Sequence, residues 1–163
     1  MKFDIHSKLF FNFKEFEPVL NIWKAEGDVI VFTNGCFDII HHGHVDSLLK
    51  SSRFGTRLVV GLNSDESVRN LKGKGRPVLN AESRAQILTA FIFVDAVIVF
   101  EEETPSRLIS QVIPDVLVKG KEYTLDEIAG HETVLEHGGK VERLDLIPGI
   151  STSELINRIK NLD

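Results

Sequence analysis

The stretch TNGCFDIIHHGH, residues 33–44, holds three of the chain's six histidines and its single cysteine. His41 and His44 are three apart, so in the first turn of a helix their rings share a face. A helix start offers unpaired N–H groups and the positive end of its dipole, which suits a phosphate. Imidazoles placed there can donate hydrogen bonds to phosphoryl oxygens whose charge changes during a reaction. Gly43 between them lets the backbone pack closely, and Thr33-Asn34-Gly35 reads as a sharp turn ahead of them. Two histidines without a third ligand or a cysteine pair make a poor zinc site, so phosphate binding outweighs metal binding here. Cys36 reads as a small packing residue rather than a reactive thiol, and Asp38 as a turn cap or a group near magnesium. His42 has no assigned role, while His6, His131 and His137 read as surface histidines.

Three further stretches carry charge or hydroxyls. LKGKGRP (71–77) places Lys72, Lys74 and Arg76 among glycines, after Asn63-Ser64-Asp65. Such a mobile cationic loop can fold over a triphosphate and neutralise charge as it develops, with Lys72 the preferred catalytic cation. By itself a basic run is usually a solvated loop. LVKGKEY (117–123) puts Lys119-Gly120 directly after an apolar run, where backbone can approach a base edge while the lysine meets phosphate or sugar. GISTSE (149–154) reads as a capping box, with Ser151 as N-cap and Glu154 three residues on. Its three hydroxyls at a helix start also make an anion site.

The elements that must position these residues follow from apolar periodicity. Short β-branched runs at Val29–Phe32, Leu58–Leu62, Ala96–Phe100, Asp115–Val118 and Val141–Leu144 predict five strands. Helices are predicted over Glu15–Glu26, over Ala81–Phe93 with Asn80 as N-cap, over Thr104–Val112 with Thr104 as cap and Pro105 first, and over Ser151–Asn161. Strands alternating with helices predict a parallel α/β sheet covered on both faces, with ligands beyond the strand C-termini. Each chemically unusual stretch falls at such an end.

Composition narrows the setting. The chain has 163 residues, 42% of them hydrophobic and 26% charged, which suits one globular domain rather than a disordered chain. A net charge of −5 argues against a general nucleic-acid binder, so any anionic substrate must be held by local cations. No apolar run reaches the length of a membrane span, and the N-terminus lacks signal-peptide features. With one cysteine there is no internal disulfide, and a cytoplasmic setting is expected. An NAD-binding domain is rejected because no G-x-G-x-x-G follows the first strand.

His41-x-Gly43-His44 after a strand resembles the signature of the cytidylyltransferase-like nucleotidyltransferases. LVVGLNSDESVRNLKGKGRPVLNAESRAQIL, VDAVIVFEEETPSRLI, PDVLVKGKEYTLDEIAG and PGISTSELI follow in the order found in heptose 1-phosphate adenylyltransferases. Those enzymes occur alone or as the C-terminal domain of a bifunctional ADP-heptose synthase. The resemblance runs over roughly residues 28–160 and implies a Rossmann-like nucleotidyltransferase fold. Residues 1–27 are expected to be an extension with one helix, too short for a sugar-kinase domain, and 28–163 the nucleotidyltransferase domain.

The resemblance further implies transfer of AMP from ATP to D-glycero-β-D-manno-heptose 1-phosphate, with Mg²⁺ held mainly by the nucleotide phosphates. His41, His44 and Lys72 are the expected catalytic residues. The nucleotide is assigned to Thr33, Asn34, Gly35, Cys36, Phe37, Gly43, Asn63, Arg76, Lys119, Gly120, Ser151, Thr152 and Ser153. The acceptor is assigned to Asp38, Lys74 and Tyr123. ATP and a sugar 1-phosphate are the expected partners, without nucleic acid or membrane, and a homodimer is allowed. Some cytidylyltransferases carry Arg-Thr before Gly-Ile-Ser and an arginine before strand three. This chain has Leu146-Ile147-Pro148 and Ile92-Phe93 there, which weakens cytidylyl transfer to a polyol phosphate such as glycerol 3-phosphate. A nucleotide-binding module without turnover is the remaining alternative.

Overall fold

The predicted apolar runs all become strands of one sheet in a computed structural model, which describes residues 4–162. In chain order the strands are β1 (Leu9–Phe10), β2 (Ile30–Gly35), β3 (Arg57–Asn63), β4 (Ala96–Phe100), β5 (Val116–Gly120) and β6 (Lys140–Leu144). The helices are α1 (Phe13–Ala25), α2 (His42–Ser52), α3 (Asp65–Lys72), α4 (Ala81–Thr89), α5 (Ser106–Val112), α6 (His131–Glu136) and α7 (Thr152–Lys160). All strand pairs are parallel, in the order β1-β4-β3-β2-β5-β6. The sheet is therefore of the expected Rossmann-like kind, with six strands where five were expected. The added strand is β1, whose two residues pair with Val97 and Ile98 at the edge.

Alternation along the central strands feeds two cores. Ile30 and Phe32 of β2 point to one face with Phe16 and Leu20 of α1, Ile109 of α5 and Val134 of α6. Val31, between them, points to the other with Leu48 of α2 and Leu88 of α4. Phe16 is fully buried and stacks against Phe10 and Trp23 at centroid distances of 5.1 and 5.5 Å. The N-terminal segment thus supplies core as well as an edge strand.

Several boundaries differ from expectation, each for a local reason. Thr33-Asn34-Gly35 is strand rather than turn, because the three residues stay in register with Val60, Gly61 and Leu62 of β3. Lys119 and Gly120 likewise end β5 instead of following it. Helix α4 stops at Thr89, well short of Phe93, where the Lys8 ammonium takes the carbonyls of Phe91 and Val94. Thr104 does not cap α5; Pro105 is the N-cap, its carbonyl accepting the Ile109 N–H at 2.8 Å, and Thr104 Oγ1 lies against Ser106 Oγ. Asn80 caps α4 as expected, accepting the Ser83 N–H at 2.8 Å.

Helices α3 and α6 were not expected. In α3 only Val68 and Leu71 are apolar, too few points to establish a period, yet Ser64 caps it by accepting the Ser67 N–H at 3.2 Å. Gly73, at φ +91°, ends it in a conformation that favours glycine. Lys72 is consequently the last residue of a helix and not part of a free loop. No helix among the described residues is long and apolar enough to cross a membrane.

If the N-terminal segment belongs to the same cooperative unit, Phe16→Ala should lower unfolding stability by about 3–5 kcal/mol, the usual cost of emptying a buried aromatic site. Urea denaturation followed by fluorescence and by circular dichroism should keep a single transition. A separate, earlier transition for the segment would contradict this.

Candidate active site

Crossovers from β2 run one way, through β3 to β4, while β5 and β6 lie on its other side. The helices after β2 and β5 therefore diverge, and a crevice opens beyond the carboxyl ends of those strands. A cleft of about 580 Å³ occupies it. A second hollow, of about 840 Å³, lies between the starts of α1 and α5 and is lined by none of the site residues expected from the sequence.

Every expected site residue lines the 580 Å³ cleft except Lys74. Strand β2 delivers Thr33, Asn34 and Gly35, and the loop after it delivers Cys36, Phe37 and Asp38. The start of α2 brings His41, Gly43 and His44; β3 ends with Asn63; α3 ends with Lys72. Arg76 follows in the next loop, Lys119 and Gly120 end β5, with Tyr123 just beyond, and Ser151, Thr152 and Ser153 open α7. Lys74 is exposed between Gly73 and Gly75 and does not line the cleft.

The histidine pair sits where the spacing placed it. His41 is the N-cap of α2 and His44 occupies the third helical position, with the rings stacked at 3.8 Å. His44 Nδ1 accepts the His41 backbone N–H at 3.4 Å, which leaves the ring proton on Nε2. Burial, with His41 beside it, lowers the His44 pKa to about 4. Burial, and then His42, lowers that of His41 as well. Both rings are thus neutral near pH 7, and each carries a single N–H. His41 Nδ1 is buried and lacks a partner among the described residues. His42 points elsewhere and is exposed.

Close packing explains the intervening glycine. A Cβ on Gly43 would lie 3.1 Å from the His41 ring and 3.1 Å from Ile150 Cγ2, tighter than ordinary contact. Residue 43 is therefore where the loop before α7 presses onto the start of α2. Phe37 has φ +45°, a conformation costing a bulky residue roughly 1–3 kcal/mol. Its ring packs edge-on against His44 at 5.3 Å.

Cationic groups line the same cleft as the histidines. Lys119 Nζ donates to the Asn34 carbonyl at 3.4 Å and lies 5.6 Å over the Tyr123 ring. Burial lowers its pKa to about 8, against the opposing pull of Glu122 and Cys36. Arg76 reaches the cleft with its Nε held by Asp38 in a short ion pair. The Asp38 carboxylate is fully buried and also accepts the N–H groups of Val78 at 2.7 Å and Leu79 at 3.0 Å. It therefore organises the 76–79 loop, with three of its roughly four lone-pair sites engaged. Burial raises the Cys36 thiol pKa, in keeping with a packing role.

At α7, Ser151 Oγ accepts the Glu154 N–H at 3.1 Å, and Thr152 Oγ1 donates to the Ile39 carbonyl at 3.4 Å. Among the described residues the return bond of the expected capping box, Ser151 N–H donating to the Glu154 carboxylate, is not formed. His6 and His137 are exposed, while His131 is half-buried with Nδ1 2.9 Å from the Ile128 carbonyl.

One residue behind the cleft escaped sequence reasoning. Arg84 of α4 has no exposed surface, and its guanidinium reaches Cys36, Asn63, Asp65 and Leu79. The available signal was a charge beside Ala85 and four residues before Leu88, on the apolar face of the helix.

Comparison with known proteins agrees with this geometry. The profile of the cytidylyltransferase-like family matches residues 32–158. Over 147 residues the chain is 50% identical to the bifunctional protein HldE of Rhodopseudomonas palustris, a match covering 90% of this chain and 30% of that protein. HldE of Syntrophotalea carbinolica is 49% identical over 86% of the chain and 29% of its own length. The chain thus spans under a third of these relatives. The crystal structure of a lipopolysaccharide core biosynthesis protein from Thermoplasma volcanium superposes with a TM-score of 0.60 at 27% identity, over 74% of this chain and 97% of that one. With the family profile extending from β2 to α7 and so taking in every element that lines the cleft, the chain belongs to the cytidylyltransferase-like family of nucleotidyltransferase enzymes.

Proposed function

We propose that this enzyme joins the AMP of ATP to D-glycero-β-D-manno-heptose 1-phosphate, giving ADP-heptose and pyrophosphate. The observation that carries the reading is the pair of stacked, neutral histidines at a helix start, sharing one cleft with Lys72, Arg76 and Lys119. That arrangement suits a row of phosphates. The choice of acceptor and nucleotide rests on the motif resemblance and on the HldE relatives, and is the finer part of the proposal.

An oxygen of the sugar phosphate attacks the α-phosphorus in line, the bond to the β-phosphate oxygen breaks, and pyrophosphate leaves. An ionised phosphate needs no base to activate it, so positioning and charge stabilisation supply the catalysis. Neither histidine is an imidazolium near pH 7, so neither has an acidic proton to transfer. Each donates an N–H toward phosphoryl oxygens, Nε2–H in the case of His44. Lys72, exposed at the end of α3, covers the leaving group, and the backbone N–H groups opening α7 add donors. Mg²⁺ belongs to the proposal as a passenger on the nucleotide phosphates, its habitual mode, and no step is assigned to it.

With Mg²⁺ present, pyrophosphate release should be rapid with ATP and heptose 1-phosphate and much slower with CTP and glycerol 3-phosphate. The opposite preference would overturn the assignment of substrates.

His41→Ala and His44→Ala should each lower kcat by about 10²–10³, as loss of one preorganised donor typically does, and His42→Ala far less. Equal losses in all three would remove the histidine pair from the chemistry.

The low His44 pKa also makes a stability prediction. The unfolded chain binds the proton below about pH 6.5, whereas the folded chain resists it until about pH 4. Stability from this group is complete above pH 6.5 and declines as pH falls toward 4, by an amount of order 2 kcal/mol. Urea unfolding at pH 7 and pH 4.5 should show His44→Gln losing less stability than the wild type across that interval. A parallel decline in both would show that His44 titrates normally.

A further inference from the structure

Arg84 lies outside the cleft lining, yet four of its five N–H donors reach four separate stretches that build the cleft. Nε donates to the Leu79 carbonyl at 3.0 Å, one terminal nitrogen to the carbonyls of Cys36 at 2.6 Å and Asn63 at 2.9 Å, and the other to Asp65 Oδ1 at 2.7 Å. Cys36 belongs to the loop leading to the histidines, Asn63 closes β3, and Asp65 opens α3. Leu79 ends the segment that Asp38 grips through the N–H groups of Val78 and Leu79. The 76–79 segment and the histidine loop are therefore laced from both sides, by Asp38 through N–H groups and by Arg84 through carbonyls.

We infer that Arg84 is a positioning residue that, through Asp65, sets the aim of α3 and hence the place of Lys72 relative to the His41–His44 pair. The inference rests on the nucleotidyl-transfer reading above. Only Ser67 and Val68 of α3 are buried. Among the described residues the helix's other side-chain tie is the Ser67 hydroxyl near its start, which donates to the Glu102 carbonyl at 2.8 Å and accepts from Asn63 Nδ2 at 2.9 Å. The Lys72 end is left to follow the helix axis. Asp65 and Lys72 stand at its two ends, about 10 Å apart at 1.5 Å per residue. A tilt of about 10° at Asp65 would then move Lys72 by roughly 2 Å, enough to cost a step that depends on orientation about 10²-fold. Lysine could not serve in place of Arg84, because only the planar fork reaches several acceptors at once. A role in stability alone accounts poorly for the arrangement, since a buried ion pair is often replaceable by apolar groups without loss.

The test uses the intact chain. Arg84→Lys is the direct variant, and Asp65→Ala keeps the question open if that one fails to fold, because the Asp65 side chain is 38% exposed and does not line the cleft. Asp65→Ala should lower kcat for pyrophosphate release by about 10–10²-fold while the KM for nucleotide stays within about threefold. The double variant Asp65→Ala/Lys72→Ala should be no slower than Lys72→Ala alone, because Asp65 acts through Lys72. Multiplied losses in the double variant, or wild-type turnover in Asp65→Ala, would overturn the inference. Hydrogen exchange provides a readout without turnover: amides of residues 66–72 should exchange faster in Asp65→Ala, with those of β2 and β3 unchanged. Unchanged exchange in α3 would also overturn it. A wild-type protein that releases no pyrophosphate would instead sink the nucleotidyl-transfer reading, and the exchange data would then judge the tether by themselves.

Discussion

A guanidinium without exposed surface cannot leave its charge to solvent, and that constraint organises the carboxyl end of this sheet. Arg84 is buried among apolar residues of α4, so the surrounding chain must supply acceptors or bear the several kcal/mol that an unpaired buried ion costs. It supplies three carbonyls and one carboxylate, drawn from the β2–α2 loop, the end of β3, the start of α3 and the loop before α4. Those backbone groups would otherwise need water or a regular ladder. Their convergence on one side chain gives irregular segments a defined shape without secondary structure of their own.

Asp38 completes the arrangement with the opposite charge. Its buried carboxylate collects Arg76 and two backbone N–H groups from 76–79, so the cation-rich segment returns to the histidine loop and does not trail into solvent. Glycines leave part of that segment free, and Lys74, flanked by them, stays outside the cleft. The basic loop read from the sequence is thus three different things: a helix end at Lys72, an exposed tip at Lys74, and a buried ion pair at Arg76. Like-charged neighbours in sequence have separate fates because the partners that decide them are distant in the chain.

The histidines illustrate how burial selects a chemical role. An exposed imidazole titrates near pH 6.5 and can serve as acid or base. Here desolvation, and after it the neighbouring histidine, hold both rings neutral, and a backbone N–H on Nδ1 of His44 fixes its remaining proton on Nε2. A neutral donor of fixed direction suits phosphoryl oxygens that gain charge. The strained Phe37 against one ring and Gly43 beneath the other show that the neighbouring sequence is fitted to these positions.

Much of this was legible in the residues themselves. Five apolar runs pointed to a parallel sheet, and the spacing of His41, Gly43 and His44 to a histidine pair at a helix start, since both depend on interactions within a few residues. The cleft gathered all the expected site residues but Lys74 because strand ends in a parallel sheet must converge on one side. Other features depended on contacts across the fold. The two-residue β1 has no pattern of its own and exists through pairing with β4. Helix α3 has too few apolar residues to show a period and is anchored by Ser67, Val68 and Asp65. Arg84 looked like one charge on a helix, and only its acceptors, five to 48 residues away, make it the centre of the site's frame. Local chemistry could be read from the order of the residues, whereas the pairing of buried charges was decided by which distant segments the sheet brings together.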